Sequence, residues 1–223
     1  MVARVLRFLQ TGIGQKMLMA ATGLLLIGFL VVHMAGNLLV FVGPAAYNAY
    51  SHRLVSNPLI YLAEGALLLL FVGHFVTGIR VVLRNRAARP TPYVLKRRAG
   101  GTSHKSLAST TMIVSGLLVL VFVPLHIWGF KFGRWYPSAT EPQVRDLYRL
   151  VAEEFQSPLL VAWYVLAMVV IGFHLWHGFG SGFESLGVQH KQALRRCGQA
   201  LAVVIAGGFV LVPIALFLRG GAL

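Results

Sequence analysis

Five long apolar runs dominate this sequence and constrain its fold more than any other feature. Each exceeds the roughly 18 residues that mark a membrane-spanning helix. All but the second lack Asp, Glu, Lys and Arg, and the second contains only Glu64. A transmembrane barrel would instead show alternating segments of about 10 residues. The sequence therefore predicts an all-α integral membrane protein, with its runs at residues 17–42, 59–79, 107–130, 159–183 and 197–218.

The composition agrees with a chain that is mostly surrounded by lipid. Apolar residues make up 57% of the 223 residues and charged residues only 12%, about half the charged fraction of a typical soluble domain. We therefore expect one membrane domain over residues 1–223, built as a five-helix bundle. The predicted helices cover approximately 17–42, 59–84, 106–130, 158–184 and 197–218.

The basic residues predict how the chain is oriented. Because cytoplasmic loops carry an excess of Lys and Arg, the more basic side is expected in the cytoplasm. This puts the N-terminus in the cytoplasm and the C-terminus outside. The side with fourteen of the twenty basic residues carries Arg4, Arg7, Lys16, Arg80, Arg84, Arg86, Arg89, Lys96, Arg97, Arg98, Lys105, Lys191, Arg195 and Arg196.

The net charge of +14 does not by itself indicate a nucleic-acid partner. Basic loops beside anionic membrane lipids explain it, and we expect lipid contact and no nucleic acid. Glu184 is the one acid that accompanies the basic residues of the inner side, so this face suits an acidic soluble partner. The single cysteine, Cys197, cannot hold an iron–sulphur cluster, which needs several thiolates, so any cluster belongs to another chain.

Histidines occur in four of the five apolar runs. His33 and His126 fall in the outer halves of the first and third, and His74 and His174 fall in the inner halves of the second and fourth. The two depths differ by roughly 14 Å at the rise of a helix. Two pairs at two depths suit two stacked haems b, each with one neutral histidine on either side of its iron. A zinc or di-iron site would need ligands at one depth.

The choice of ligand in the fourth helix rests on depth. His174 and His177 lie three residues apart on nearly the same helix face. Depth favours His174 as the iron ligand and leaves His177 as an alternative or as a contact near a haem propionate. Further candidates for propionate contacts are Arg80 and Arg84 inside and Lys131 outside.

Glu64 is the one carboxylate within an apolar run, and an ionisable group there is a functional-site hypothesis by default. It lies ten residues outward of His74, about 15 Å by helix rise. We expect it to exchange protons with a quinone beside the outer haem, with an interfacial carboxyl as the alternative. His52 and Arg53, in the adjoining outer connection, are further candidates for quinone or propionate contacts.

Several stretches resemble the dihaem cytochrome b subunits of succinate dehydrogenases and fumarate reductases. The first helix carries IGQKMLMAATG at residues 13–23 and HMAGNL at 33–38. The second carries Glu64 and His74, followed by NRAARPTPY at 85–93, and the fourth carries FHLWHGFGSGFESLG at 173–187. The resemblance covers nearly the whole chain and five helices in the expected order.

The resemblance implies an anchor that holds a flavoprotein subunit with FAD and an iron–sulphur subunit on the cytoplasmic face of a bacterial inner membrane. It implies that His33 and His126 ligate the outer haem b, and that His74 and His174 ligate the inner one. Electrons would pass between the iron–sulphur subunit and a membrane quinone, for which the resemblance favours menaquinone. Succinate or fumarate chemistry would take place on the flavin of the partner.

Two alternatives stay open at this point. A quinone-linked cytochrome b of a hydrogenase or formate dehydrogenase would also use bundled helices and histidine pairs. A transporter or scaffold without haem would use the histidines to relay protons or bind substrate. The subunits that co-purify distinguish the first alternative from an anchor of succinate dehydrogenase or fumarate reductase. A colourless protein would indicate the second alternative.

Overall fold

The computed structural model describes residues 2–88, 107–139, 141–188 and 191–220. Most of these residues form helices, and no strand occurs among them. In chain order the α-helices are α1 (Val2–Gln10), α2 (Gly12–Leu38), α3 (Pro44–Val55), α4 (Leu59–Ala87), α5 (Leu107–Thr110), α6 (Met112–His126), α7 (Leu147–Glu154), α8 (Pro158–Ser185) and α9 (Lys191–Leu218).

Five of the described segments are long and apolar enough to cross a membrane. They begin with α2, α4, α6, α8 and α9 and cover Gly12–Phe41, Leu59–Ala87, Met112–Lys131, Pro158–Ser185 and Gln192–Leu218. The prediction of an all-α chain with five such helices is confirmed. Large apolar side chains on their outer faces are exposed, including Leu62 and Leu69 on α4, as expected of surfaces that meet lipid.

Local capping explains where two of these helices begin. The side chain of Thr11 accepts a hydrogen bond from the Gly14 backbone N–H at 3.1 Å, so α2 starts five residues before its apolar run. Ser157 caps α8 in the same way, through Leu160 N–H at 3.4 Å, and Pro158 occupies the first turn. Both caps satisfy backbone donors that have no partner within the helix.

The third predicted helix, 106–130, is divided in the structure. Helix α5 ends at Thr110, α6 runs from Met112 to His126, and a π-helical turn covers Ile127–Lys131. Pro124 lies in the last turn of α6, where it contributes no backbone donor. Residue 106 and most of the preceding basic connection, 89–105, lie outside the described residues.

Four of the long helices surround a common centre. Helix α2 packs against α4 and α8, α6 packs against α8, and α4 contacts α6. Going round the bundle, the order is therefore α2, α4, α6, α8, which puts α2 diagonally across from α6 and α4 diagonally across from α8. Helix α9 lies outside this square, mainly against α8.

The two ends of the bundle differ. At the end called here the capped end, where α2 and α6 finish, α3 and α7 pack against each other. Asn48 of α3 donates to Asp146 Oδ1 at 2.8 Å and accepts from the Tyr148 backbone N–H at 2.9 Å. Val40, Tyr47 and Leu150 are buried there. The opposite end, called here the basic end, is where α2 and α9 begin and α4 and α8 finish.

Candidate functional site

The structure brings four histidines together in two pairs, one on each diagonal of the helix square. His33 of α2 faces His126 of α6, with ring centres 5.8 Å apart and ring planes at 84°. His74 of α4 faces His174 of α8, with ring centres 6.3 Å apart and ring planes at 73°. We call these the cap-side pair and the basic-side pair. Their role as iron ligands stays a prediction.

The two pairs lie at different levels of the bundle. The His74 ring lies against Met19 and Gly23 of α2, and His33 follows Gly23 by ten residues in the same helix. Ten residues of helix correspond to about 15 Å. One pair therefore lies well above the other along the bundle axis.

The spacing within each pair suits a shared iron. A metal–nitrogen bond to histidine is about 2.0 Å long, so two imidazoles on opposite sides of one metal hold their ring centres roughly 6 Å apart. The observed separations are 5.8 and 6.3 Å. Among the described residues, no group of three or more His, Cys, Asp or Glu side chains that could hold a metal ion occurs. The two pairs have the spacing that two histidines on one haem iron would need.

In the basic-side pair, the hydrogen-bonding partners favour Nδ1 as the ring nitrogen that carries the proton. The Nδ1 atom of His74 lies 3.0 Å from the Met19 carbonyl oxygen, which can only accept. The Nδ1 atom of His174 lies 2.9 Å from Ser115 Oγ, and this hydroxyl donates to the Met112 carbonyl at 3.0 Å. Both Nδ1 atoms therefore act as donors, and each Nε2 atom keeps its lone pair for a metal.

The cap-side pair is held differently. The Nδ1 atom of His126 lies 3.1 Å from the Tyr164 hydroxyl. The His33 ring stacks on Phe29, with centres 5.2 Å apart, and also contacts Phe209. No hydrogen bond to the His33 ring occurs within the described segments. Aromatic packing therefore orients one ring of this pair and a hydroxyl orients the other.

The His74 ring packs against α2 at Gly23, a residue without a side chain. A Cβ atom added at Gly23 would lie 2.9 Å from Cε1 of His74 and 3.2 Å from its Nδ1. Real Cβ contacts are not that short, so any larger residue would push the imidazole away from α2. Gly23 allows the close approach between a helix backbone and a ring that this diagonal needs.

Two of the residues predicted to belong to the site form an ion pair. Lys131, at the end of the π-helical turn, pairs with Glu64 of α4. Their side chains are 46% and 38% exposed, so the pair lies at the surface of the capped end. Lys131 therefore has a carboxylate partner within the protein, in addition to its predicted contact with a propionate.

The remaining candidates are not bonded to the ring pairs in the described part of the chain, although His177 lies one helical turn beyond His174. Arg84 donates to the Gln10 carbonyl at 2.8 Å and so links α4 to α1, and Arg80 is exposed on the same helix. His177 is half-buried at the basic end, with Glu184 and Arg195 as its charged neighbours. His52 and Arg53 are exposed in the last turn of α3. No hydrogen bond or ring contact joins these five residues to the histidine pairs within the described segments.

Several residues that contact the four imidazole rings were not predicted from the sequence. Ser115 and Tyr164 are buried polar residues inside apolar runs, which is a signal that was available. The Met19 carbonyl carries no signal of its own, because every residue has one. Arg145 was also missed: it donates to the carbonyls of Phe130, Lys131, Gly133 and Arg134 at 2.7–3.0 Å.

Comparison with known proteins adds one similarity. Over 179 residues the chain is 22% identical to the succinate dehydrogenase cytochrome b558 subunit of Bacillus subtilis (strain 168). The alignment covers 79% of this chain and 81% of the relative. No family model matches the chain, and no solved structure matches it.

Proposed function

We propose that this chain is the cytochrome b membrane anchor of a succinate:quinone oxidoreductase. In this role it transfers electrons between an iron–sulphur subunit and a membrane quinone. The observation that carries the proposal is the facing of His33 with His126 and of His74 with His174 on two diagonals at two levels. The similarity to a succinate dehydrogenase cytochrome b subunit over four-fifths of both chains supports it.

Each histidine pair would hold one haem b through Nε2. Bound haem supplies a site that gains and loses one electron at a time. Two histidine nitrogens on each iron would suit electron transfer and not oxygen binding. The acceptors at Nδ1 of His74 and His174 would hold the ring proton on Nδ1 and fix the orientation of these rings, as outer partners of metal-bound histidines do.

The soluble partners would dock at the basic end. An iron–sulphur subunit and a flavoprotein subunit with FAD complete the enzyme, and the dicarboxylate site lies on the flavoprotein. The basic end faces the cytoplasm of a bacterial inner membrane, following the charge distribution. Acidic surface on the iron–sulphur subunit would complement the arginines of this end.

The quinone would react at the capped end, beside Glu64 and Lys131. A carboxylate can accept and release the protons that accompany quinone reduction. To do so, Glu64 has to part from the Lys131 ammonium with which it is paired. The resemblance noted from the sequence favours menaquinone, with His52 and Arg53 of α3 as further contacts.

The decisive test measures haem directly. The purified membrane complex is analysed by a reduced-minus-oxidised spectrum and by pyridine haemochrome quantification, as wild type and with each of the four histidines changed to alanine. We expect two haems b per chain, with His33→Ala and His126→Ala losing one and His74→Ala and His174→Ala losing the other. His177→Ala is the matched control on α8 and should keep both.

A colourless wild type from haem-replete cells would overturn the proposal and favour a transporter. Loss of a haem in His177→Ala but not in His174→Ala would move the ligand to His177. The subunits that co-purify test the partner: a flavoprotein with succinate oxidation supports the proposal, whereas a molybdenum or nickel enzyme supports the hydrogenase or formate dehydrogenase alternative.

A separate experiment tests the quinone site. Glu64→Gln removes the proton-exchanging group, and we expect quinone reduction by succinate to fall about 100-fold, the usual scale of acid–base catalysis. Succinate oxidation with a water-soluble dye at the flavoprotein should be unchanged. Equal loss of both activities would indicate failed assembly, and unchanged quinone reduction would remove Glu64 from the site.

A further inference from the structure

Helices α6 and α8 each contribute a hydroxyl group that contacts a histidine of the other helix. One such contact lies at each of the two histidine levels. At the basic-side level, Ser115 of α6 contacts His174 of α8, with Oγ 2.9 Å from Nδ1. At the cap-side level, Tyr164 of α8 contacts His126 of α6, with Oη 3.1 Å from Nδ1. Each level therefore has one imidazole that is held by a hydroxyl across the contact between α6 and α8. At the basic-side level the Thr22 hydroxyl of α2 also lies 3.4 Å from Nδ1 of His74.

Donors and acceptors are fully accounted for at Ser115. Its O–H donates to the Met112 carbonyl in its own helix at 3.0 Å. The lone pairs of Oγ are then left to accept from His174 Nδ1–H. Ser115 is 5% exposed, so solvent does not compete strongly for this bond.

Tyr164 sits in aromatic surroundings that leave its hydroxyl few alternatives. Its ring contacts Phe122 and Phe155 with centres 5.1 Å apart in both cases, and Phe130 at 5.8 Å. The residue is 8% exposed. His126 Nδ1 is the hydrogen-bonding atom beside this hydroxyl in the described structure. With Nε2 of His126 on an iron, Nδ1 would carry the proton and the Tyr164 oxygen would accept it.

We propose that Ser115 and Tyr164 are positioning residues, one for each haem, and this rests on the proposed function. Ser115 acts on the haem held by His74 and His174, and Tyr164 acts on the haem held by His33 and His126. By accepting Nδ1–H, each hydroxyl turns Nε2 of its histidine toward the iron and fixes the ring plane. It also makes the imidazole a stronger donor, which favours ferric over ferrous iron.

The test compares Ser115→Ala with Tyr164→Phe in the purified complex. The midpoint potential of each haem is measured by redox titration, and each signal is assigned from the haem that disappears in His74→Ala or His33→Ala. We expect Ser115→Ala to raise the midpoint potential of the basic-side haem and leave the other unchanged. Tyr164→Phe should raise the midpoint potential of the cap-side haem and leave that of the basic-side haem unchanged. Each variant is therefore the control for the other.

Two further readouts separate positioning from a merely structural role. Ser115→Thr keeps a hydroxyl and should restore the wild-type potential. The electron paramagnetic resonance signal of the ferric haem depends on the ring planes, and only the signal of the affected haem should shift. If the Tyr164→Phe complex does not assemble, Ser115→Ala and Ser115→Thr decide the question at the basic-side haem.

The outcomes distinguish this inference from the proposed function. Two haems per chain with unchanged potentials in both variants would overturn the inference and leave the function standing. A shift of both haems in either variant would also overturn it, because a general change of the bundle would then be the cause. A wild type without haem would overturn the function itself.

Discussion

The basic-side and cap-side pairs have similar geometry but are held by different means. Both rings of the basic-side pair are hydrogen-bonded at Nδ1, one by a backbone carbonyl and one by a serine. In the cap-side pair, a tyrosine bonds His126 while His33 packs against phenylalanine rings. Regular helices hold the basic-side pair, whereas the cap-side pair also depends on the structure that follows α6.

His126 shows this dependence most clearly. It is the last residue of α6, and the π-helical turn Ile127–Lys131 follows at once. Arg145 binds the carbonyls of Phe130 and Lys131 in that turn and two more beyond it. Partial burial lowers the pKa of the Arg145 guanidinium, which nevertheless stays charged at neutral pH. Substitutions in the connection between α6 and α7 should therefore affect the cap-side pair and not the basic-side pair.

The largest expected effect comes from Gly23. In Gly23→Val the added atoms would overlap the His74 ring, which has no room beside α2. We expect the basic-side haem to be lost while the cap-side haem is retained. Gly28→Val is the matched control, because a Cβ atom at Gly28 meets nothing within 4 Å. Haem quantification of both variants checks this, and equal haem content in Gly23→Val and wild type would contradict it.

Arg145 should give the next largest effect, at the opposite end. Arg145→Gln leaves several carbonyls without their charged donor, which we expect to destabilise the complex by roughly 2–4 kcal/mol. The spectrum of the cap-side haem should change and that of the basic-side haem should not. Thermal unfolding and low-temperature spectra measure the two effects. Arg149→Gln is the control, since its ion pair with Glu153 is exposed. A similar loss in that control would contradict the prediction.

Asn48→Ala should affect only the capped end, where α3 packs against α7. It removes the side chain that joins α3 to Asp146 and to the Tyr148 N–H, at a cost of about 1–3 kcal/mol. We expect faster proteolysis of the cap with both haem spectra almost unchanged. His52→Ala, on the exposed surface of α3, should leave the proteolysis rate at its wild-type value. A basic-side haem that changes in Asn48→Ala would show that the two ends are coupled.

The smallest effect is expected when the pH is lowered through the pKa of Glu153. The pKa of Glu153 is lowered by its hydrogen bonds to Tyr136 and Arg149, so its contribution to stability is present above the ordinary glutamate pKa of about 4.3. It is lost as the pH falls from there through the lowered value. A pH titration of the two haem spectra should therefore perturb the cap-side haem first. Glu153→Gln should reduce the difference, and an earlier change at the basic-side haem would contradict this assignment.

The sequence predicted the helices better than the contacts between them. Hydropathy identifies five spans because lipid demands long uncharged helices, and depth within a span assigns each histidine to a level. Neither property indicates rotation about the helix axis, so Tyr164 could not be assigned to His126 beforehand. Helix α3 was missed because Pro44–Val55 is too short and too polar to resemble a span. The bond between Asn48 and Asp146 joins residues 98 positions apart.

That bond also bears on how the molecule is made. The chain is synthesised from its N-terminus, so α3 emerges while α7 does not yet exist. The side chain of Asn48 cannot form these bonds until α4 and α6 have both been inserted across the membrane. Their insertion returns the chain to the side on which α3 lies. Only at that stage can Asp146 and Tyr148 meet Asn48. Closure of the cap thus follows correct insertion of the two intervening spans, and a chain that inserts one of them wrongly leaves Asn48 unpaired at the surface.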